Sequence, residues 1–525
     1  MLPSPLPSLV ALLPRLRPLV PAPLYARVCA ESSSVTLLQV FEHLRTLLGI
    51  VSMHVPRDIV AVLPRPGEVH HTWHEGTLMF TDLAGFTRLV ATYNTQGRDG
   101  ATTLLTILNA YFATMIDIIS QAGGTVRKFA GDGLLVQFAA DWRHHTTVRA
   151  VRAGLRMQRA MAHFAQHEIA RGPLALAMRV GIHTGRFLVA HIGTPQRMEY
   201  VLLGPTVVHA KHAEGAGAVG RVCLTAPAYA HVQEHFRMEP GAPGYVQIID
   251  DLTVEQLGAY DLTPVERRSG ALVLLDRRVE GLLHAITEAI ERLEPLVCYL
   301  PGSLLQLLVE HTAHRHVPPT FPVVTVLFVN IGGLPEAVAQ ALPDEEEPLI
   351  ARVSWLFARI NAAVEAQGGV LQRITCQVGA DIMIHFGMPP TASDDTQRAV
   401  RTALAIRDII THCAAPLVGQ QPQPLTCKMG LARGHAFAAE IGTPRGRREF
   451  DIHGEAINTA AHLLQHAASN QILLTEEVAH AVAEHFDSVP LPSLLLKGAM
   501  IPTPVFALRG KKPSATEFIN GAEHV

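Results

Sequence analysis

The sequence predicts an α/β chain made of two copies of one domain, and three observations carry that reading. Blocks of sequence recur in the same order at one offset. Short β-branched apolar runs alternate with amphipathic helical patterns. Apolar residues make up 48% of the 525-residue chain, enough for each copy to bury a core of its own.

The repeat is read from five blocks. TLMFTDLAGF from Thr77 matches TVLFVNIGGL from Thr325, and VRAVRAGL from Val148 matches QRAVRTAL from Gln397. RVGIHTG from Arg179 matches KMGLARG from Lys428. IGTPQRMEY from Ile192 matches IGTPRGRREF from Ile441, and LGPTVVHAKHA from Leu203 matches HGEAINTAAHL from His453. An offset of about 250 residues means duplicated domains rather than a solenoid.

Within a copy, TLMF and VTVLFV read as buried strands. Leu104, Leu108, Phe112, Met115 and Ile119 recur at helical spacing. GGTVRKFAGDGLLVQF predicts two strands around a Gly-Asp turn, and residues 145–164 a second amphipathic helix. Strands follow near 175–183 and 187–192. A helical stretch near 281–294 joins the copies. The expected domains are a Pro-rich, helical N-terminal extension (1–70), the first copy (71–262), a linker (263–320), the second copy (321–510) and a tail (511–525).

Composition narrows the function classes. The formal net charge is −3 and no Lys/Arg block stands out, which argues against a nucleic-acid partner. The six cysteines are scattered, with no CxxC pair, so a reducing cytoplasm is the expected compartment. The first 25 residues are apolar but broken by prolines, Arg15 and Arg17, and no later stretch offers about 20 uninterrupted apolar residues, so no transmembrane segment is expected.

Two acidic positions carry the chemistry of the first copy. Asp82 ends a buried strand in FTDLAGFT, and Asp132 sits in a glycine-rich turn in KFAGDGLL. Glycines let a ligand approach the backbone, and two carboxylates at neighbouring strand ends suit Mg²⁺ completed by water and phosphate oxygens.

The paired motif resembles the class III nucleotidyl cyclases, in particular the tandem soluble adenylyl cyclases of the bicarbonate-responsive type. The resemblance implies two ferredoxin-like βαββαβ domains forming an intramolecular pseudo-heterodimer, with one competent site at their interface. It implies two Mg²⁺ or Mn²⁺ ions held by Asp82, the carbonyl of Leu83, and Asp132. It also implies attack of the ribose 3′-OH of ATP on its own α-phosphorus, giving cyclic AMP and pyrophosphate. Arg179 resembles the family's basic residue on the terminal phosphates.

The second copy fits the complementary role. Asn330 replaces the first metal Asp. Ala380 replaces the second, with Asp381 one place out of register. FDIHGEAINTAAH resembles the segment that places Asp451 on the adenine amino group, Ile452 against the purine and Asn458 near the ribose. An acceptor such as Asp451 suits the amino group of adenine and repels O6 of guanine, which argues against a guanylyl cyclase. No GGDEF-like segment supports a diguanylate cyclase. The first copy has Val208 in place of Asn458, so its counterpart site is degenerate. There Lys128 and Lys211 match basic residues of the bicarbonate-responsive type and suggest a regulatory anion site.

Two departures bear on turnover. His462 stands where the family places a charge-stabilising Arg, which leaves Arg447 or Arg448 as stand-ins and a nucleotide-binding regulatory module as the rival function. The base-recognising Lys falls on Arg373 counted from Gly368-Gly369, or on Cys376 counted back from Gly379.

Overall fold

The computed structural model describes residues 7–139, 146–164, 167–169, 172–174, 176–257, 275–376, 380–388, 391–412, 425–443, 446–496 and 501–512. Both copies are open mixed sheets carrying helices. In the first copy the strand order is Thr125–Ala130, Gly133–Ala139, His70–Ala84, Ala177–Gly193, Val222–Thr225, Tyr245–Ile248, Met238–Pro240, with Met198–Leu203 paired to Ala177–Gly193. The second copy repeats that order as Val370–Thr375, Ala380–Phe386, Val323–Gly332, Thr426–His435, Ile472–Thr475, Thr503–Lys511, Phe486–Leu494. The predicted fold class is the one observed.

The helical pattern in the first copy is the helix Gly97–Gln121, and Leu104, Leu108, Phe112, Met115 and Ile119 are all buried on it. The predicted helix over 145–164 is Thr146–Ala160. The strands expected near 175–183 and 187–192 are instead one strand, Ala177–Gly193, laddered along the whole of His70–Ala84 from His70 opposite His191 to Ala84 opposite Ala177. The second copy does break there. Its ladder ends at Val323 opposite His435, where Pro322 has no N–H to continue it. The chain restarts as the hairpin Phe437–Gly442 and Arg448–His453.

Two compact units result. One holds Met1–Leu202, Thr206–Thr320 and Ala438–Asp451, and the other holds Leu203–Pro205, Phe321–Phe437 and Ile452–Val525.

The N-terminal extension is rich in helix as well as proline. Residues 7–62 form the helices Pro7–Leu16, Ala22–Ala30, Ser34–His54 and Arg57–Val62. Prolines sit mainly at helix starts, where a missing N–H costs nothing: Pro21 caps the second helix and Pro56 the fourth. Arg15 does not merely interrupt an apolar run. Its Nε and Nη2 each donate at 2.7 Å to Glu294 on the linker helix Val279–Val297, which also packs along Ser34–His54. Ser34–His54 and Gly97–Gln121 are long and apolar enough to span a membrane by length and composition, but each turns an apolar face inward.

The duplication reaches further upstream than the sequence blocks showed. Met53-His54-Val55-Pro56 leads into the helix Arg57–Val62, and Cys298-Tyr299-Leu300-Pro301 leads into Gly302–Glu310. Pro56 and Pro301 are matching N-caps, at φ −55°, ψ 145° and φ −56°, ψ 139°. The two segments make matching contacts with the opposite repeat. Arg197 donates to Tyr299 O at 3.1 Å and Glu199 at 3.0 Å, while Arg447 donates to Met53 O at 3.3 Å and Glu449 at 3.2 Å. His191 Nδ1 meets Tyr299 Oη at 2.6 Å, and at the corresponding place His54 Nε2 meets Glu440 Oε1 at 2.8 Å. Burial works against ionisation of Glu440, but the hydrogen bond and charge of His54, the Val317 N–H and Arg448 hold its carboxyl below the usual range.

Candidate functional site

Asp82 lies where the long strand His70–Ala84 leaves the sheet, just before Gly85 turns the chain at φ 94° into the helix Phe86–Asn94. Asp132 lies in the tight turn between Thr125–Ala130 and Gly133–Ala139. The turn is pressed onto the strand: a Cβ on Gly133 would stand 1.8 Å from Thr81 O, so only glycine fits. The Leu134 N–H donates to Thr81 Oγ1 at 3.0 Å and fixes the contact. This close approach puts the two carboxylates into one electrostatic environment. Withdrawal from water, then the charge of Asp82, push the Asp132 carboxyl up to about 7; Lys211 pulls the other way and Glu214 adds to the rise. Burial, and after it the charges of Asp132 and Asp82, push the Tyr111 hydroxyl upward.

Arg179 is the direct ladder partner of Asp82, and its Nη2 donates to Asp82 Oδ2. Its Nε also lies 3.2 Å from Glu214 Oε1. Lys211 Nζ donates to Glu214 Oε2 at 2.6 Å. The structure thus brings together Asp82, Asp132, Arg179, Lys211 and Glu214. Glu214 was missed in the sequence, although a charged pair three residues apart on a helix that buries Val207, Ala210 and Ala213 was a readable signal.

A divalent cation suits this place. Asp132 rises because it is withdrawn from water and a second anion, Asp82, sits beside it, and a dipositive ion offsets both effects. Among the described residues no cluster of three or more His, Cys, Asp or Glu could hold a metal. Two carboxylates alone match an ion whose remaining ligands are water and substrate oxygens.

The second copy shows how the same place looks without that chemistry. Asn330 lies opposite Asp381 in the ladder and donates to it at 2.6 Å. Phe386 pairs with Thr325 as Phe138 pairs with Thr77, so Ala380 takes the position of Asp132 and Asp381 that of Gly133. Burial pushes the lone Asp381 carboxyl up to about 7, opposed by the Asn330 hydrogen bond.

The other sequence candidates fall on three elements. Asp451 and Ile452, both fully buried, are consecutive in Arg448–His453. Asn458 and His462 lie one turn apart on Glu455–His466. The cap of that helix is Gly454, so Asn458 is not an N-cap. Arg373 is buried in Val370–Thr375 opposite Met383, after a bulge at Leu371/Arg373. Lys128 follows a matching bulge at Val126/Lys128 and lies opposite Leu135. Arg373 is therefore the register equivalent of Lys128, and Cys376 lies past the strand end; Gly379 lies outside the described residues.

Lys128 and Lys211 each already meet a carboxylate: Lys128 Nζ lies 2.8 Å from Glu199 and Lys211 Nζ 2.6 Å from Glu214, so an anion would have to displace these partners. One expectation needs correcting. Arg447 and Arg448 are not stand-ins for a missing catalytic Arg. Arg447 is committed to Met53 O and Glu449, and Arg448 donates to Thr443 O at 3.0 Å and Arg315 O at 3.1 Å.

The model of the adenylate and guanylate cyclase catalytic domain matches residues 69–250 and again 317–511. The chain belongs to that family. It is a tandem class III cyclase, each copy one cyclase domain. Adenylate cyclase type 10 of Rattus norvegicus is 22% identical over 477 residues, covering 88% of this chain and 28% of that protein. Adenylate cyclase 1 of Rhizobium meliloti (strain 1021) is 28% identical over 186 residues, 34% of this chain and 27% of that one. The chain thus spans little more than a quarter of these relatives. Among solved structures, a class III adenylyl cyclase-like ATP-binding protein from Pseudomonas aeruginosa aligns with TM-score 0.53 at 14% identity, over 84% of this chain and 92% of that one. That likeness extends over both cyclase domains and concerns the fold.

Proposed function

We propose that the chain is an adenylyl cyclase, converting ATP to cyclic AMP and pyrophosphate, with cyclase domains over 71–262 and 321–510 that divide the chemistry of one site. The observation that carries this reading is complementary loss. The first domain keeps the paired carboxylates Asp82 and Asp132, while the second has Asn330, Ala380 and an Asn330–Asp381 hydrogen bond in their place. The second domain keeps Asp451 and Asn458, where the first has Val208.

Asp82, the Leu83 carbonyl and Asp132 would hold the Mg²⁺ or Mn²⁺ ions, two per site. Such ions acidify a ribose hydroxyl and neutralise a triphosphate. The remaining work falls to the chain's own residues. Arg179 offers a guanidinium to the terminal phosphates once it lets go of Asp82. Asp451 accepts from the adenine amino group, with Ile452 against the purine and Arg373 as a donor to the ring nitrogen. Asn458 orients the ribose so that its 3′-OH faces the α-phosphorus. His462 offers one hydrogen bond, or a partial charge when protonated, to the α-phosphate as negative charge gathers there. A cytoplasmic location belongs to this reading; the five described cysteines are all free thiols.

One observation favours a second reading, a nucleotide-binding regulatory module with little turnover. His462 lacks the fixed charge of an Arg, and Arg447 and Arg448 are occupied elsewhere. The deciding experiment is turnover of ATP by the full chain with Mg²⁺ and with Mn²⁺. Cyclic AMP and pyrophosphate are expected, with Asp82→Ala inactive. ATP binding without product under either metal would move the protein to the second reading.

A further inference from the structure

The first cyclase domain contains a buried carboxylate to which the proposed reaction assigns no role. Glu214 is 1% exposed and receives two cations on its two oxygens, Lys211 at 2.6 Å and Arg179 Nε at 3.2 Å. Its backbone has no room to drift. A Cβ on Gly181 would lie 1.9 Å from the Glu214 nitrogen, so the helix is seated directly on the strand that carries Arg179. The second domain repeats this seat with another side chain: a Cβ on Gly430 would lie 2.7 Å from the nitrogen of Leu464, which is also buried. The fold therefore accepts leucine at this place. A buried carboxylate is costly without partners, and it occurs only in the domain that has Asp82 and Asp132.

Arg179 has a second carboxylate partner, Asp82. The Asp82 oxygen that meets Arg179 would be drawn away from it by the metal ion of a bound metal triphosphate. Once Asp82 is taken, Glu214 is the carboxylate that remains in ion-pair contact with Arg179. Lys211 is held by the same carboxylate, with its Nζ 5.8 Å from the centre of the Phe80 ring, on the strand of Asp82.

We propose that Glu214 is a positioning residue for the polyphosphate: it holds Arg179 and Lys211 together beside the Asp82–Asp132 pair, so that both cations meet the phosphates of a metal-bound triphosphate. The inference rests on the cyclase reading for the class of ligand. It adds a residue that touches no substrate and acts through two that do.

Magnesium tripolyphosphate is the probe, because it carries the charge of the ATP tail without base or ribose. Calorimetric titration of the full wild-type chain should show binding. Glu214→Gln should weaken it about tenfold, the worth of one charge-assisted hydrogen bond. Glu214→Leu, the residue of the sibling domain, should show at least that loss with an unchanged melting temperature, and Glu214→Asp should recover part of it. Combined with Arg179→Ala, the Gln variant should add little to the single loss, since the two act as a unit. Unchanged affinity in Glu214→Leu, fully additive losses, or no binding by wild type would overturn the assignment. The two proposals fail separately. A wild type that binds tripolyphosphate but makes no cyclic AMP refutes the cyclase reading and leaves the Glu214 series to be judged on binding. Normal cyclic AMP synthesis with an indifferent Glu214 refutes this inference alone.

Discussion

Replacing Asp381 by Asn should make the second cyclase domain less sensitive to alkaline pH. Among the described residues Asp381 has no cation beside it: its polar partner there is Asn330 at 2.6 Å, and burial raises its carboxyl from 3.8 to about 7. Because the folded value is raised, the unfolded chain ionises first. The native state therefore loses stability as pH climbs from about 4 to about 7, and the full cost is present above that window. Three pH units correspond to about 4 kcal/mol, and a half-buried, partly screened group keeps roughly half of it, about 2 kcal/mol. Asn is neutral throughout and keeps the shape. Hydrogen exchange, corrected for intrinsic rates, should be followed at the amides of Val323–Gly332 and Ala380–Phe386 at pH 5 and pH 8. Wild type should lose roughly 2 kcal/mol of protection between them and Asp381→Asn little. An Asn variant with the same pH dependence would show that the carboxyl is not the cause.

Other outcomes follow from the same geometry. His462→Arg should raise kcat by about tenfold or more, measured as cyclic AMP per minute at saturating ATP; no change would mean that this contact does not limit turnover. Gly133→Ala should cost about a hundredfold in activity, since its Cβ would enter Thr81 O and force the Asp132 turn off the strand, whereas Gly302→Ala, with nothing within 4 Å, should be silent. Bicarbonate must displace Glu199 to reach Lys128, so Glu199→Gln should lower the concentration for half-maximal stimulation and Lys128→Ala should abolish it. Absence of any response in all three proteins would rule out the regulatory anion site that the sequence resemblance suggests.

The sheets, the duplication and the Asp82–Asp132 pair were legible because they rest on sequence pattern. TLMF and VTVLFV are short continuous apolar runs, as buried strands are, and Asp132 sits among glycines that the turn requires. The substitution of Ala380 for Asp132 was also readable, since Phe386 sets the register. What could not be read depends on partners far away in the chain. Lys128 and Lys211 looked available because Glu199 and Glu214 become their partners only after folding. Arg447 looked like a spare cation, yet it is held by Met53 O, almost 400 residues away, a separation of 394. That the segments before each domain match one another escaped notice because the likeness of MHVP and CYLP lies in backbone geometry and hardly at all in residue identity.

Those two segments decide how the chain can be divided. Each leads into its own repeat but is gripped by an arginine of the other, Met53 O by Arg447 and Tyr299 O by Arg197. Each repeat therefore leans on a residue of its sibling. Cutting between the repeats would not release two self-sufficient domains. Each fragment would carry a brace with nothing to hold and a hairpin with nothing to hold it, and activity would return only when both fragments were mixed.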